Sequence, residues 1–225
     1  MASRNNIELG EWHHCYNRGV DKRPIFSNEG DANRFMMLLY LCNSSGPVAL
    51  YNMHKPDIGK AFGEERGSPI VSIGAFCLMP NHYHLLIKEI IEGGTTSFMR
   101  KLGTAYTMYF NQKFERIGHL FCGQYRSRHV ASDEYFQTVL PYIHINPAEL
   151  YEPNWKDGTV RDLKQLQRKL IEYPYSSLSD YANPGRTSPI LGKDGFEIAR
   201  PMSVSKMLRE ARDYHVEQSK ENFER

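Results

Sequence analysis

The sequence predicts one α+β domain built around an antiparallel sheet. Two observations support this class. Strand-like and helix-like stretches follow in the order strand, helix, strand, strand, helix, strand, helix, and a Pro80-Asn81 turn joins the two central strands. The 225 residues are 40% hydrophobic, which suffices for one sizeable core. We therefore expect a main domain at residues 11–150 and a mostly helical extension at residues 151–225.

The first part of the chain supplies a strand and a helix. A strand is predicted at Trp12–Asn17, and a helix at Glu29–Cys42 because apolar residues recur there at helical spacing. Residues 43–69 are rich in Gly, Pro, Ser and charge, a composition typical of a loop. We interpret them as an insertion of unknown role, with a short strand at Val48–Met53 as its one regular segment.

The middle of the chain supplies the rest of the sheet. Ile70–Met79 and His82–Ile90 are predicted to be adjacent strands, since each is an apolar run bounded by turn residues. A helix is expected at about Ser97–Phe114, followed by a further strand at Gln124–Val130.

The next predicted helix carries Tyr142. Ser132 is a suitable N-cap, and the two acidic residues after it favour the first turn of a helix. Pro141 lies directly before Tyr142 and removes one backbone donor. Two interpretations stay open at this point: the helix kinks at Pro141, or it begins again there.

The extension beyond Pro147 is expected to be helical. A polar helix is predicted at about Val160–Leu170, then an aromatic segment at Tyr173–Tyr181, a Pro/Gly-rich connector and an amphipathic helix at Ser203–Gln218. The residues expected to pack that last helix on the domain are Met207, Leu208, Ala211 and Tyr214.

Composition excludes several classes of protein. The sequence has neither a basic and apolar leader pattern at its start nor an apolar stretch long enough to span a bilayer, so we expect a cytoplasmic protein without membrane contact. Four scattered cysteines without a Cys-x-x-Cys pair indicate reduced thiols. The net charge of +2 is too small on its own to indicate a nucleic-acid binder.

Two histidines on one predicted strand are the most informative feature. Because side chains alternate along a strand, His82 and His84 share one face, whereas Tyr83, Leu85 and Ile87 point to the other face and into a core. Imidazoles about 7 Å apart along a strand can bind one cation if another element supplies a third ligand. The alternative interpretation is that both histidines line a solvated face.

A ligand and a nucleophile occur together further along the chain. Tyr142 and Asn146 are four residues apart, so a helix places them side by side. A tyrosine hydroxyl can attack a phosphodiester, and an amide oxygen can bind a divalent cation.

These motifs resemble a known family. Met-Pro-Asn-His-x-His-Leu-Leu at Met79–Leu86 and Tyr-Ile-x-x-Asn-Pro at Tyr142–Pro147 are similar to the signature of the single-tyrosine HUH transposases, in particular the REP-associated tyrosine transposases. The similarity extends over about residues 11–182. Lesser matches are His14–Gly19, Ile25-Phe26 with Asp31, Tyr106–Asn111, Gly118–Phe121 and Tyr173–Ser177.

The resemblance implies a fold and a chemistry. It implies that residues 11–150 form a ferredoxin-like HUH domain, with the histidines on an inner strand and the tyrosine helix laid across them. It also implies that His82, His84 and Asn146 hold Mg²⁺ or Mn²⁺. Tyr142 would then cleave and rejoin single-stranded or hairpin DNA through a covalent 5′-phosphotyrosine.

The charge distribution is compatible with a DNA partner. Between Arg100 and Val130, six Lys and Arg residues stand against Glu115 alone and are interleaved with aromatic residues. Basic side chains neutralise phosphates, whereas aromatic residues at helical spacing are more typical of a core. We assign the aromatic residues mostly to the core and the cations mostly to DNA. The cations expected to contact DNA are Arg18, Arg100, Lys101, Arg126 and Arg128.

Two other functions are compatible with the same residues. A domesticated hairpin-binding protein would keep the fold without transposing DNA. A metal-dependent phosphoesterase for small substrates would activate water and would not need Tyr142. A covalent adduct between protein and DNA distinguishes the transposase from both, and the sequence leaves open whether the protein is a homodimer or a monomer.

Overall fold

The architecture is a four-stranded antiparallel sheet with helices on both faces. The computed structural model describes residues 7–47, 57–183, 185–186 and 188–223. Its strands run in the spatial order β2-β3-β1-β4, which together with the intervening helices is the predicted ferredoxin-like arrangement. The strands are β1 (Trp12–Arg18), β2 (Val71–Met79), β3 (His82–Glu89) and β4 (Arg126–Val130).

The described part of the chain includes helices that differ in length from one turn to more than five turns. They are α1 (Glu29–Leu41), α2 (Ile58–Gly63), α3 (Gly94–Lys113), α4 (Asp133–Ile145), α5 (Ala148–Tyr151), α6 (Leu163–Glu172), α7 (Leu178–Ala182), α8 (Lys193–Ile198) and α9 (Val204–Phe223). Within the described ranges, no helix is both long and apolar enough to cross a membrane.

Helices α1 and α3 cover one face of the sheet. Tyr83, Leu85 and Ile87 of β3 point into this layer and belong to one buried apolar cluster with Phe35 of α1 and Tyr106 of α3. The alternation predicted for β3 is therefore confirmed. Burial of these large side chains is the main stabilising contribution on this side.

Helices α4 and α9 cover the opposite face. Leu86 of β3 packs there with Trp12, Phe136 and Ile143, and Tyr214 of α9 joins the same cluster. The predicted apolar face of the last helix is confirmed, since Met207, Leu208, Ala211 and Tyr214 are all buried. This second layer contains the catalytic candidates.

The entry and course of α4 resolve one open question. The Ser132 hydroxyl accepts a hydrogen bond from the Tyr135 backbone N–H at 3.1 Å, which confirms the predicted N-cap. The helix continues through Pro141 to Ile145. It does not begin again at Pro141.

The prediction that residues 43–69 are loop-like needs correction. Helix α2 lies inside this segment, where the Asp57 carboxylate caps it by accepting from the Lys60 backbone N–H at 3.1 Å. Ala61 is buried against Met37 and Leu41 of α1. This contact with α1 stabilises a helix too short for periodicity to indicate. The strand expected at Val48–Met53 lies outside the described residues.

Part of the extension is joined to the sheet. The Leu78 backbone N–H donates to the Tyr175 carbonyl at 2.8 Å, and Cys77 forms an isolated bridge with Ser176. Tyr173 donates its hydroxyl to the Leu78 carbonyl at 2.7 Å. This segment therefore covers the open edge of β2, which would otherwise expose unpaired backbone groups.

Candidate active site

The centre of the site is the histidine pair on β3. His82 and His84 lie on the face covered by α4, and their ring centroids are 5.0 Å apart. His84 is buried and His82 is half-buried. Because β3 is an inner strand, paired with β2 and β1, both rings have a rigid support.

Helix α4 places Tyr142 over these imidazoles. The Tyr142 ring lies 5.3 Å from the His84 ring, edge to face. Asn146, one turn later, donates its side-chain amide to the Tyr142 carbonyl at 2.7 Å. Burial lowers the pKa of His82 and raises that of Tyr142, and hydrogen bonding to Asn146 partly opposes both shifts, so the amide is close to both side chains. The structure therefore brings His82, His84, Tyr142 and Asn146 together.

Each histidine of the pair is held through its Nδ1 atom. His82 Nδ1 lies 2.7 Å from Asn81 Oδ1, and His84 Nδ1 lies 2.8 Å from His14 Nε2. This leaves Nε2 of both rings available as a ligand, and Asn146 adds an amide oxygen. The residues therefore fit a divalent cation with mixed nitrogen and oxygen ligands. Among the described residues, no group of three or more His, Cys, Asp or Glu side chains is placed to hold a metal ion. The Asn146 amide would have to be the third protein ligand of such a site.

Burial keeps these imidazoles neutral. Desolvation lowers the pKa of His84 well below its usual value, and the neighbouring His14 and His82 lower it further. The pKa of His82 is also lowered, chiefly by burial. Neutral imidazole is the form that binds a metal.

The environment of Tyr142 raises the pKa of its hydroxyl. Burial raises the pKa of Tyr142 to about 12, with smaller contributions in the same direction from Tyr16, Cys77 and Glu149. The phenol is therefore protonated at neutral pH, and an attack on phosphorus requires its activation.

Helix α9 forms the outer wall of the site. The rings of Tyr214 and His215 lie 4.7 Å and 5.2 Å from the Tyr142 ring. The Tyr214 hydroxyl lies 3.2 Å from that of Tyr135. Sequence reasoning placed Tyr214 on a packing face but gave no indication that it covers Tyr142, and His215 carried no signal at all.

Strand β1 contributes two residues that sequence reasoning missed. His14 and Tyr16 lie on the same face as the histidine pair, with Tyr16 directly opposite His84 in the pairing of β1 with β3. The His14 ring stacks on the His84 ring at 5.0 Å. The alternation of Trp12, His14 and Tyr16 along a predicted strand was the available signal.

With this geometry in place, the chain can be compared with known proteins. Residues 41–146 match the family model described as Transposase IS200 like. These residues contain both the histidine pair and Tyr142. This stretch of the chain, which carries the candidate site, is similar to IS200-like transposases. The match agrees with the resemblance that the motifs indicated.

A solved structure gives a second comparison. It is described as "Structure of the REP associates tyrosine transposase bound to a REP hairpin", and the match covers 85% of this chain and 91% of that chain. The TM-score is 0.50 and the sequence identity 12%, so the likeness supports a shared fold. No curated protein matches the sequence.

Three of the predicted DNA-binding cations lie on the same face of the sheet as the candidate site. Arg18 is opposite His82 in the pairing of β1 with β3, and Arg126 and Arg128 on β4 are opposite Tyr16 and His14. Paired residues of an antiparallel sheet point to the same side. Arg18 and Arg126 are exposed, whereas Arg128 is half-buried and donates to the Tyr214 hydroxyl at 3.3 Å.

The other two predicted cations are separated from this surface. Arg100 and Lys101 lie on α3, which packs on the opposite face of the sheet. The Lys101 ammonium donates to the carbonyls of Ser44 and Gly46 at 2.6 Å and 3.1 Å, so it anchors the start of the 43–69 segment. A DNA contact by either residue stays a prediction.

Proposed function

We propose that this protein cleaves and rejoins single-stranded DNA at hairpin sequences through a covalent 5′-phosphotyrosine at Tyr142. The observation that carries the proposal is the position of Tyr142. Its ring lies 5.3 Å from the His84 ring, and Asn146 follows one helical turn later. In-line attack on phosphorus needs a nucleophile and charge stabilisation in the same place.

The proposed reaction exchanges one phosphodiester for another. The Tyr142 hydroxyl gives up its proton as its oxygen forms a bond to phosphorus, the bond from phosphorus to the 3′-oxygen breaks, and that oxygen takes up a proton. Attack by a 3′-hydroxyl on the phosphotyrosine reverses the step, so no external energy source is needed for rejoining.

The residues around Tyr142 have separate roles in this proposal. Mg²⁺ or Mn²⁺, held by His82, His84 and Asn146, would stabilise the charge on the phosphoryl oxygens. Asn146 also orients the tyrosine, because its amide contacts both the Tyr142 carbonyl and His82. All these groups come from one chain, so a single subunit is sufficient for the chemistry.

The arginines on the same face would bind the phosphates of DNA that reaches Tyr142. Arg18 and Arg126 are exposed on this face, Arg18 opposite His82 and Arg126 one strand further away, opposite Tyr16. Phosphate contacts of this kind provide affinity without sequence information. A hairpin with an unpaired flank is the substrate proposed, because a splayed strand bends toward Tyr142 more easily than a stacked duplex.

One experiment tests the substrate and the mechanism together. The same palindromic sequence is labelled and presented as a hairpin and as a full duplex, with Mn²⁺ or with excess chelator. We expect a covalent protein–DNA adduct, stable in denaturing gels, with the hairpin and Mn²⁺ only. Equal cleavage of hairpin and duplex contradicts the proposed substrate, and full cleavage in chelator contradicts the metal.

A second candidate function is hairpin binding without cleavage. The observation that favours it is the cover over Tyr142, which Tyr214 and His215 shield from solvent. In this case the protein binds the labelled hairpin in the same experiment, with an affinity that falls steeply as salt rises, and forms no adduct.

A further inference from the structure

Buried His14 on β1 contacts one of the two proposed ligand histidines. Its Nε2 atom lies 2.8 Å from Nδ1 of His84, and the two rings stack at 5.0 Å with an interplanar angle of 27°. Only 3% of His14 and 5% of His84 are exposed, so water does not compete for this hydrogen bond. The contact joins residues 70 positions apart in the chain.

A hydrogen bond between two neutral imidazoles has two possible directions. If His14 donates, the proton of His84 is on Nε2, and that nitrogen cannot bind a cation. If His84 donates from Nδ1, its Nε2 carries a lone pair and can be a ligand. The direction of one buried hydrogen bond therefore decides whether His84 can bind a metal.

We propose that His14 is a positioning residue that accepts this hydrogen bond and fixes His84 as the Nδ1–H tautomer. The inference deepens the proposed function and rests on it, because it requires His84 to be a metal ligand. His14 is suited to this role because its Nε2 atom meets Nδ1 of His84 at 2.8 Å and both rings are buried.

The first half of the pair is held in the same way. His82 directs Nδ1 toward Asn81 Oδ1 at 2.7 Å, and a carbonyl oxygen can only accept. Asn81 thus imposes on His82 the tautomer that we assign to His84. Both ligand rings then carry a free lone pair on Nε2, which binding of one shared cation requires.

The test combines the tautomer with metal affinity. Nitrogen NMR of the metal-free protein, labelled at histidine, is expected to show His84 protonated on Nδ1. His14→Leu removes the acceptor and should weaken Mn²⁺ binding, measured by calorimetry, by about 10- to 100-fold. His14→Gln keeps an acceptor near the Nε2 position and should restore affinity to within about threefold of the original.

His13 offers a matched control. It is the adjacent residue on β1, it is also fully buried, and it points to the opposite face, where it contacts Ser127. His13→Leu should leave Mn²⁺ affinity unchanged. An Nε2-protonated His84 in the metal-free protein overturns the proposal, and so does equal loss of affinity in His13→Leu and His14→Leu.

The same measurements distinguish a failure of the His14 proposal from a failure of the proposed metal site. If His84→Ala weakens Mn²⁺ binding and His14→Leu does not, His84 is a ligand and the positioning role alone is wrong. If His84→Ala leaves Mn²⁺ binding unchanged, the proposed metal site is wrong and the role of His14 falls with it.

Discussion

The two faces of the sheet are built from the same four strands but carry different kinds of side chain. On the face covered by α1 and α3, β3 contributes Tyr83, Leu85 and Ile87 to an apolar core. On the face covered by α4 and α9, the same strand contributes His82 and His84 beside Tyr142. The comparison shows how one strand stabilises the fold with every second residue and holds reactive groups with the others.

The two faces also differ in what holds them together. The core on the α1 and α3 side gains its stability from buried apolar surface, which depends little on pH. The other side includes buried neutral imidazoles in His14, His84 and His144. Their protonation costs free energy, so this side of the sheet should respond both to acid and to metal. On the other side, the buried His13 should respond to acid but not to metal.

Adjacent residues of β3 allow the sharpest separation. His84→Ala should lower hairpin cleavage by about 100-fold or more, because several kcal/mol of charge stabilisation are lost with the proposed ligand. Leu85→Ala should lower the free energy of unfolding by about 2–5 kcal/mol and leave Mn²⁺ affinity intact in the folded protein. Denaturant unfolding and calorimetry measure both. Loss of metal binding in Leu85→Ala would show that the faces are not independent.

Acid should destabilise the protein through the buried histidines. Burial lowers the pKa of His144 to about 3, against an ordinary value near 6.5. Between these values the unfolded chain binds a proton that the folded protein excludes, so stability falls as pH falls. From pH 7 to pH 5 the loss should be about 2 kcal/mol for this residue.

The matched variants for this prediction lie in the same contact. His144→Leu should reduce the dependence of the unfolding free energy on pH by about the 2 kcal/mol expected for this residue between pH 7 and pH 5. Ser177→Ala removes the hydroxyl 2.9 Å from His144 Nε2 but keeps the imidazole buried, so it should keep the slope. An unchanged slope in His144→Leu would contradict the assignment.

Asn146→Ala should have a smaller effect on cleavage than either histidine variant. Water can replace an amide oxygen in the coordination of Mg²⁺ or Mn²⁺, so we expect roughly a tenfold loss. The metal dependence of the cleavage rate is the measurement. A loss as large as that of His84→Ala would mean that the amide acts mainly by placing Tyr142.

The smallest expected effect distinguishes the cations of the two faces. Arg126→Ala should weaken hairpin binding several-fold and reduce the slope of log affinity against log salt by about 1, as expected for one lost phosphate contact. Arg100→Ala is the matched variant on the α3 side and should change neither quantity if DNA stays on the active-site face. Equal effects would show that the hairpin extends around the sheet edge.

The sequence was sufficient to predict features that depend on the spacing of residues within one strand or one helix. Alternation along β3 gave the facing of His82 and His84, and spacing along α4 gave the proximity of Tyr142 and Asn146. Hydrogen-bonding chemistry gave the N-cap at Ser132. Each of these inferences concerns residues close together in the chain.

Features that depend on how elements pack were not predictable in this way. Periodicity shows which side of α3 is apolar but not which face of the sheet the helix covers. The sequence therefore predicts one DNA-binding set that joins Arg100 and Lys101 to Arg126, although they lie on opposite faces. Nothing local indicates that Tyr214 covers Tyr142, because the two residues meet only when α9 folds back on α4. The partner of His84 was missed for the same reason, since His14 lies on another strand.

The central claim is that Tyr142 is the nucleophile, and peptide mapping of the adduct tests it most directly. Tyr16, Tyr135 and Tyr214 are the neighbouring rivals, with the Tyr214 ring only 4.7 Å from that of Tyr142. After cleavage of a labelled hairpin and proteolysis, mass spectrometry should place the 5′-phosphate on Tyr142, and Tyr142→Phe should bind the hairpin without forming an adduct. A phosphorylated Tyr214, or an adduct that persists in Tyr142→Phe, would contradict the account.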